Sequence, residues 1–312
     1  PGSGHSVKPF HFCRMPFLNS PSRIINPLAH ERRFGFGSGM SGGAGGAFVG
    51  ALDLLTSPTV AFAISPQKLR AAYSGNAFRL RSDGAGSPEE NFGFTSAGDL
   101  DIAAVTAWLT STSGSNAYGR TFYDQSTNAR DAGQGLSANQ PLFAAGALSK
   151  GQFTFDGTND CFDTASWSLA QNFTIWTVLD TASIATLRYA AGTLGSTPTF
   201  AGIYKGDGGA VGGYFGASAA HPTASYSAGV LSWSCYHVNG ASSSLVFNGT
   251  TSGTLNFGTT GINGGWRVGG RFDAFSRWAG KIVEQIIFAG DATTLPGWSA
   301  FLANRQAYFS LP

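Results

Sequence analysis

The chain has 312 residues and a net charge of +2, with charged residues at 12% and 44 glycines. Charge at about half the usual ~25% and glycine at about twice the usual ~7% exclude a charged helical bundle or a solvating tail, and favour many short strands joined by tight turns. So small a net charge makes no electrostatic case for nucleic acid, and no run reaches the ~18 apolar residues of a membrane span.

Residues 1–50 differ from the rest. They hold Lys8, Arg14, Arg23, Arg32 and Arg33 against Glu31 alone, a balance of +4 that leaves the remaining 262 residues at −2. Five prolines before residue 34 prevent a long helix or strand, yet Phe10, Phe12, Phe17 and Ile24 are too apolar for a plain disordered tail. This predicts an extended anchoring arm, with Phe10, Phe12, Arg14, Arg32 and Arg33 meeting a partner surface. His5, His11 and Cys13 lack a fourth ligand at zinc spacing. The glycine-rich run from Gly35 to Gly50 lacks the preceding strand and Lys-Ser/Thr ending of a phosphate loop and reads as a linker. Proline and charge interrupt the apolar residues at the start, so no signal peptide is expected and assembly in a reducing cytoplasm is.

Residues 51–312 read as one β domain. Pro58 and Pro66 bracket a strand-like TVAFAI, and AAYSGNAFRLRSDG (Ala71 to Gly84) supplies another strand. The segment GDLDIAAVTAWL (Gly98 to Leu109) predicts a helix, with Asp99 and Asp101 favouring its positive end. RTFYDQSTNARDAGQGLSANQPLF follows, from Arg120 to Phe143. In it the Asp124-Gln125 pair reads as a buried turn fastener working through backbone hydrogen bonds.

Further strands recur at Phe173 to Asp180, Thr199 to Gly206, Val230 to Gly240 and Ser244 to Gly258. Asn239-Gly240 and Asn248-Gly249 signal tight hairpins, because both central residues must tolerate positive φ. Near the end, WRVGG and the run Trp278 to Phe288 predict two strands around a bend, with Ile282, Glu284, Ile286 and Phe288 on one parity and Val283 and Ile287 on the other. Both faces are then covered, and Glu284 needs a partner or a path to water. Leu295 to Phe309 predicts a closing helix. The total is about ten to fourteen strands and two helices.

These motifs, in this order, resemble the concanavalin A-like and laminin G-like jelly rolls and, more narrowly, the catalytic domain of arabinofuranosidase B. The resemblance rests on Y-S in Ala71 to Gly84, the acid-led helix, Tyr123-Asp124-Gln125-Ser126-Thr127-Asn128, and the closing G-K-I-V-E-Q-I-I-F. Thr127 stands where the family usually has glycine, which implies a different turn. Similar units occur in virion proteins of tailed bacteriophages. The resemblance implies an all-β, two-sheet antiparallel jelly-roll sandwich with two short helices and an extended N-terminal arm.

The family's acid/base aspartate follows a G-G-D motif, whereas here Gly269-Gly270 is followed by Arg271-Phe272-Asp273, a displacement of two positions. No glutamate lies between Glu90 and Glu284, so the family's nucleophile has no counterpart; Asp207 is the nearest acid. The expectation is therefore no catalysis: a non-enzymatic bacteriophage virion structural protein, on tail or capsid, homo-oligomeric, held to other virion proteins by its arm and offering a host-surface glycan Trp266, Asp273 and Trp278. The alternative is an arabinofuranosidase-like glycoside hydrolase using Asp273 and an unrecognised second acid; a secreted adhesin is a third reading. No cofactor is expected, although Asp156, Asp160 and Asp163 form an oxygen-rich set that calcium could use and that Asx turns explain more simply. Cys161 and Cys235 read as buried free thiols, with one bridge as the other possibility.

Overall fold

The pattern of short apolar runs between Gly, Pro and Asn folds as 18 strands in the computed structural model, which describes Gly2 and residues 47–312 apart from 145–149, 196–199 and 274–275. The chain divides into two units, Pro1–Gly42 and Gly43–Pro312. The proposed anchoring residues Phe10, Phe12, Arg14, Arg32 and Arg33, and His5, His11 and Cys13, lie outside the described residues.

The first part of the second unit runs β1 (Val60–Ile64), β2 (Phe78–Ser82), β3 (Glu89–Phe92), α1 (Ile102–Ser111), β4 (Ala117–Phe122), β5 (Ala132–Gly133) and β6 (Leu142–Ala144). The middle continues through β7 (Gln152–Asp156), β8 (Phe162–Thr164), β9 (Phe173–Leu179), β10 (Arg188–Thr193), β11 (Gly202–Lys205), β12 (Ala210–Tyr214) and β13 (Ser218–Ser225). The last part is β14 (Ser232–Val238), β15 (Ser244–Phe247), β16 (Thr250–Thr251), β17 (Trp266–Val268), β18 (Ala279–Ala289) and α2 (Trp298–Phe309). The strand count exceeds the predicted one because pieces such as β5 and β16 are two residues long, too short to show a period.

The strand pairings are antiparallel. β18 is flanked by β1, β7 and β9, and β9 passes the ladder on to β14 and β15. A second path runs from β4 through β5 and β8 to β17, and from there to β10, β11 and β12. The unit is thus all-β with two short α-helices. α1 begins where the acidic pair predicted: the Asp101 carboxylate caps it by accepting the Ala104 N–H at 2.9 Å.

β9 is buried at every residue and β18 at nearly every one, so both faces of this pair are covered. On one face Phe62, Ile175, Leu179, Ile282 and Ile287 join the large aromatic core. On the other, Trp176, Val178, Val283, Ile286 and Phe288 pack with Phe301 and Phe309 of α2. Simple alternation would place Val283 with Ile287. A register shift between Ile282 and Glu284 breaks the alternation, and Val283 joins Ile286 and Phe288 instead.

Glu284, on the parity of Ile286 and Phe288, faces α2, where it finds the partner its burial demands. Arg305 and Glu284 are both fully buried, and Arg305 Nη1 donates to Glu284 Oε2 at 2.7 Å. Ser65 Oγ and Trp176 Nε1 donate to the same carboxylate, and Arg305 Nη2 donates to Gln67. The network ties β18 to β9, to α2 and to the chain just after β1.

The turn at Asp124 works as its sequence suggested. The Asp124 carboxylate accepts the N–H groups of Ala63, Ser126 and Arg130 and the Ser126 hydroxyl. Gln125 accepts the Leu69 N–H and donates to the carbonyls of Ser65 and Gln67. Both side chains thereby stand in as ladder partners for β1 and the chain that follows it. Of the two hairpin signals, Asn248-Gly249 is a two-residue connection with φ of 44° and 83°. Asn239-Gly240 instead opens a longer link through a short 3-10 turn, Gly240–Ser242, whose Ser243 hydroxyl bonds back to Asn239 N–H and Gly240 carbonyl. Cys161 and Cys235 are free and buried.

Candidate active site

Register brings distant charges together. Asp163 on β8 lies directly opposite Arg267 on β17, and Arg267 grips it with two bonds, Nε and Nη2 each 2.6 Å from a carboxylate oxygen. Burial lowers the affinity of Arg267 for its proton, but the bond to Asp163 outweighs this and its pKa is raised. The remaining nitrogen, Nη1, donates to the carbonyls of Arg271 at 3.0 Å and Phe272 at 3.3 Å. The pair on the strands therefore also holds the loop that follows β17.

That loop begins at Gly269 because nothing larger fits. Its φ is 93°, and a Cβ there would lie 2.4 Å from the Phe155 ring. Arg271 then pairs with Asp273, Nε to Oδ1 at 2.6 Å, and this bond raises the arginine's pKa. The guanidinium lies 5.2 Å from the Tyr189 ring centre, 5.3 Å from that of Phe200 and 5.6 Å from that of Phe272. Tyr189, Phe200 and Tyr204, with Tyr214 and Phe272 against them, form an aromatic cluster separate from the two main cores. Tyr189, Phe200 and Tyr204 are themselves buried, so only Tyr214 and Phe272 are open in part, the rings that could offer a sugar a flat apolar face beside fixed donors and acceptors.

The predicted site residues fare differently. Asp273 is in this cluster. Trp266 and Trp278, expected to face a glycan, are fully buried, and their indole N–H groups donate to Gln285 and to the Asp180 carbonyl; they are core residues and offer no ring to a ligand. Asp163, considered for calcium, belongs to Arg267 instead. Asp156 and Asp160 close the turn between β7 and β8: Asp156 Oδ1 accepts the Thr158 N–H at 2.7 Å, and Asp160 Oδ2 accepts the Asp156 N–H at 2.9 Å. Among the described residues no three His, Cys, Asp or Glu side chains converge as a metal would require. Sequence reasoning missed Asp163 and Arg267 as a site pair, since only the β8–β17 register joins them.

The buried Asp160 also makes stability depend on pH. Burial, helped by the charge of Asp156, raises its carboxyl from 3.8 to about 6. The fold thus prefers the protonated acid, and its contribution to stability is present below about pH 4 and lost as pH rises through about 6. Asp160→Asn, which keeps an acceptor for the Asp156 N–H, is expected to remove this loss. Thermal melts of both proteins between pH 4 and 7 check it: the variant should gain on the native protein as pH rises, and parallel curves would count against it.

No protein-family model matches the sequence, and no curated protein matches it. Solved structures do match the fold. An arabinofuranosidase complexed with arabinofuranosyl-alpha-1,2-xylobiose superposes with a TM-score of 0.63 at 14% identity, covering 82% of this chain and 65% of its own. A GH54 α-L-arabinofuranosidase soaked with a cyclic sulfate inhibitor gives a TM-score of 0.64 at 14% identity, covering 83% of this chain and 64% of its own. The fold is arabinofuranosidase-like. The chain spans just under two thirds of the length of these two structures. These matches correct the expectation of a non-enzymatic virion structural protein: both neighbours are glycoside hydrolases, the alternative reading, and neither is a virion protein.

Proposed function

We propose that this chain is an arabinofuranosidase-like glycoside hydrolase built on a two-sheet jelly roll, with Asp163 and Asp273 as its carboxyl pair. The observation that carries the reading is that one guanidinium organises both acids. Arg267 holds Asp163 directly and holds the loop of Asp273 through the Arg271 and Phe272 carbonyls. Asp163 is the second acid that the sequence left unnamed.

Hydrolysis of a glycosidic bond needs one carboxylate to stabilise or attack the anomeric carbon and one carboxyl to move a proton at the leaving oxygen. Asp163, bound at both oxygens and a third exposed at its side chain, suits the first task. Asp273, on the loop, suits the second once Arg271 turns from it toward the rings of Tyr189 and Phe200, which lie beside that guanidinium.

The test is hydrolysis of 4-nitrophenyl α-L-arabinofuranoside by the native chain, Asp163→Asn and Asp273→Asn. Turnover by the native chain that falls about 10²- to 10⁴-fold in each variant is expected. A native chain without turnover, or variants as fast as the native chain, would overturn the assignment.

A further inference from the structure

A cleft runs across the outer face of β2, β4, β6 and β7, and strand register builds its floor. Arg81 lies opposite Tyr118, Tyr118 opposite Leu142, and Leu142 opposite Thr154. Residues directly opposite one another on antiparallel strands share a face, so these side chains form one row. Their strand neighbours Leu80, Ala117, Phe143 and Phe153 point the other way, into the aromatic core. The row lines a cavity of about 510 Å³, within the roughly 300–1,000 Å³ of small-ligand sites. Asp163, Arg267, Arg271 and Asp273 are not among the lining residues.

The walls of this cleft carry hydrogen-bonding groups that the fold leaves unused. Asp160 is only 7% exposed and lines the cavity. Its Oδ2 accepts the Asp156 N–H, but among the described residues nothing donates to its Oδ1. Asp156 repeats the pattern: Oδ1 accepts from the backbone of Thr158, Asn159 and Asp160, while Oδ2 has no donor among those residues. Arg81 is held in place, with Nε donating to Gln140 Oε1 at 2.6 Å and the guanidinium 4.7 Å from the Tyr118 ring centre. Its Nη2 has no acceptor among the described residues. Half-buried Tyr118 and exposed Leu142 add apolar surface beside these groups.

Charge decides what such a cleft can take. An anion would face Asp83, Asp156 and Asp160, and a cation would face the Arg81 guanidinium. A neutral molecule rich in hydroxyls avoids both penalties. Its hydroxyls donate to the open carboxylate oxygens and accept from Arg81 Nη2, while its C–H surface rests on Tyr118 and Leu142. Burial, then the charge of Asp156, raises Asp160 to about 6; a hydroxyl both donates and accepts, so it meets this group in either state.

We infer that this cleft is a non-catalytic binding site for a neutral oligosaccharide. It goes beyond the hydrolase reading and stands without it, since no bond is broken there.

The experiment is calorimetric titration of the full chain with xylotriose and cellotriose and, separately, with trigalacturonate and calcium chloride. At least one neutral trisaccharide should bind, at least about tenfold more tightly than trigalacturonate, and calcium chloride should show no binding. Thr154→Trp fills the cleft from its floor, and Arg81→Ala removes the open donor. Each should weaken the neutral sugar at least about tenfold, whereas Asp273→Asn should bind it as the native chain does. Tryptophan suits a strand position, and Arg81→Ala gives the answer if Thr154→Trp does not fold. The site is overturned by absence of neutral-sugar binding, by tighter binding of trigalacturonate or calcium, or by binding that Asp273→Asn abolishes or that survives both cleft variants. None of these results touches the hydrolase assignment, which aryl arabinofuranoside turnover judges independently.

Discussion

Arg305→Ala is expected to lower the free energy of unfolding by about 3–5 kcal/mol, the cost of stranding a buried carboxylate. Glu284 accepts from Arg305, Ser65 and Trp176, and neither member of the ion pair reaches solvent. Removing the arginine leaves the glutamate to lose its charge or to draw in water between β18 and α2. The charge pair itself contributes much less than its rupture costs, because both ions had to be stripped of water to form it. The double change Glu284→Leu with Arg305→Met is expected to recover only part of the loss, because it also strands the Trp176 N–H and the Ser65 hydroxyl. Urea denaturation at neutral pH measures both proteins, and an Arg305→Ala cost below about 1 kcal/mol would contradict the account.

Asp124→Ala should be comparably damaging, for a different reason. It leaves three backbone N–H groups, those of Ala63, Ser126 and Arg130, without their acceptor. An unsatisfied buried donor costs about 1–3 kcal/mol, and neighbouring losses are not additive, so a total of about 3–5 kcal/mol is expected. Asp124→Asn, which keeps one acceptor oxygen, should lose roughly half as much. Ala63 sits inside β1, so its amide should exchange with deuterium far faster in Asp124→Ala than in the native chain. Unchanged protection at Ala63 would show that another group takes over the role.

Glu284 and Asp124 are residues whose type could be read from the sequence but whose partner could not. A glutamate in an apolar run announces a need; that Arg305 meets it depends on a helix packing on one particular face of β18. The aspartate before Gln125 announces a turn, and its hold on β1 depends on contacts some sixty residues away along the chain. The candidate site shows the same division. Asp273 was marked by its closeness to a Gly-Gly motif, whereas Asp163 looked like part of an oxygen-rich turn until register set it against Arg267. Trp266 and Trp278 looked available to a sugar because the presence of a tryptophan does not say which face of a strand is covered.

What local pattern determined was the all-β class, the capped first helix, the two closing strands, the final helix and the solvent-shy thiols, since each depends on periodicity, turn chemistry or composition over a few neighbours. Only the tertiary structure decided the shifted register in β18, the ion pair beneath α2, and the meeting of Asp163, Arg267 and the Asp273 loop. Strand register is a long-range choice: one residue of slip exchanges the two faces of a strand, and that choice is made by the packing of segments a hundred residues apart.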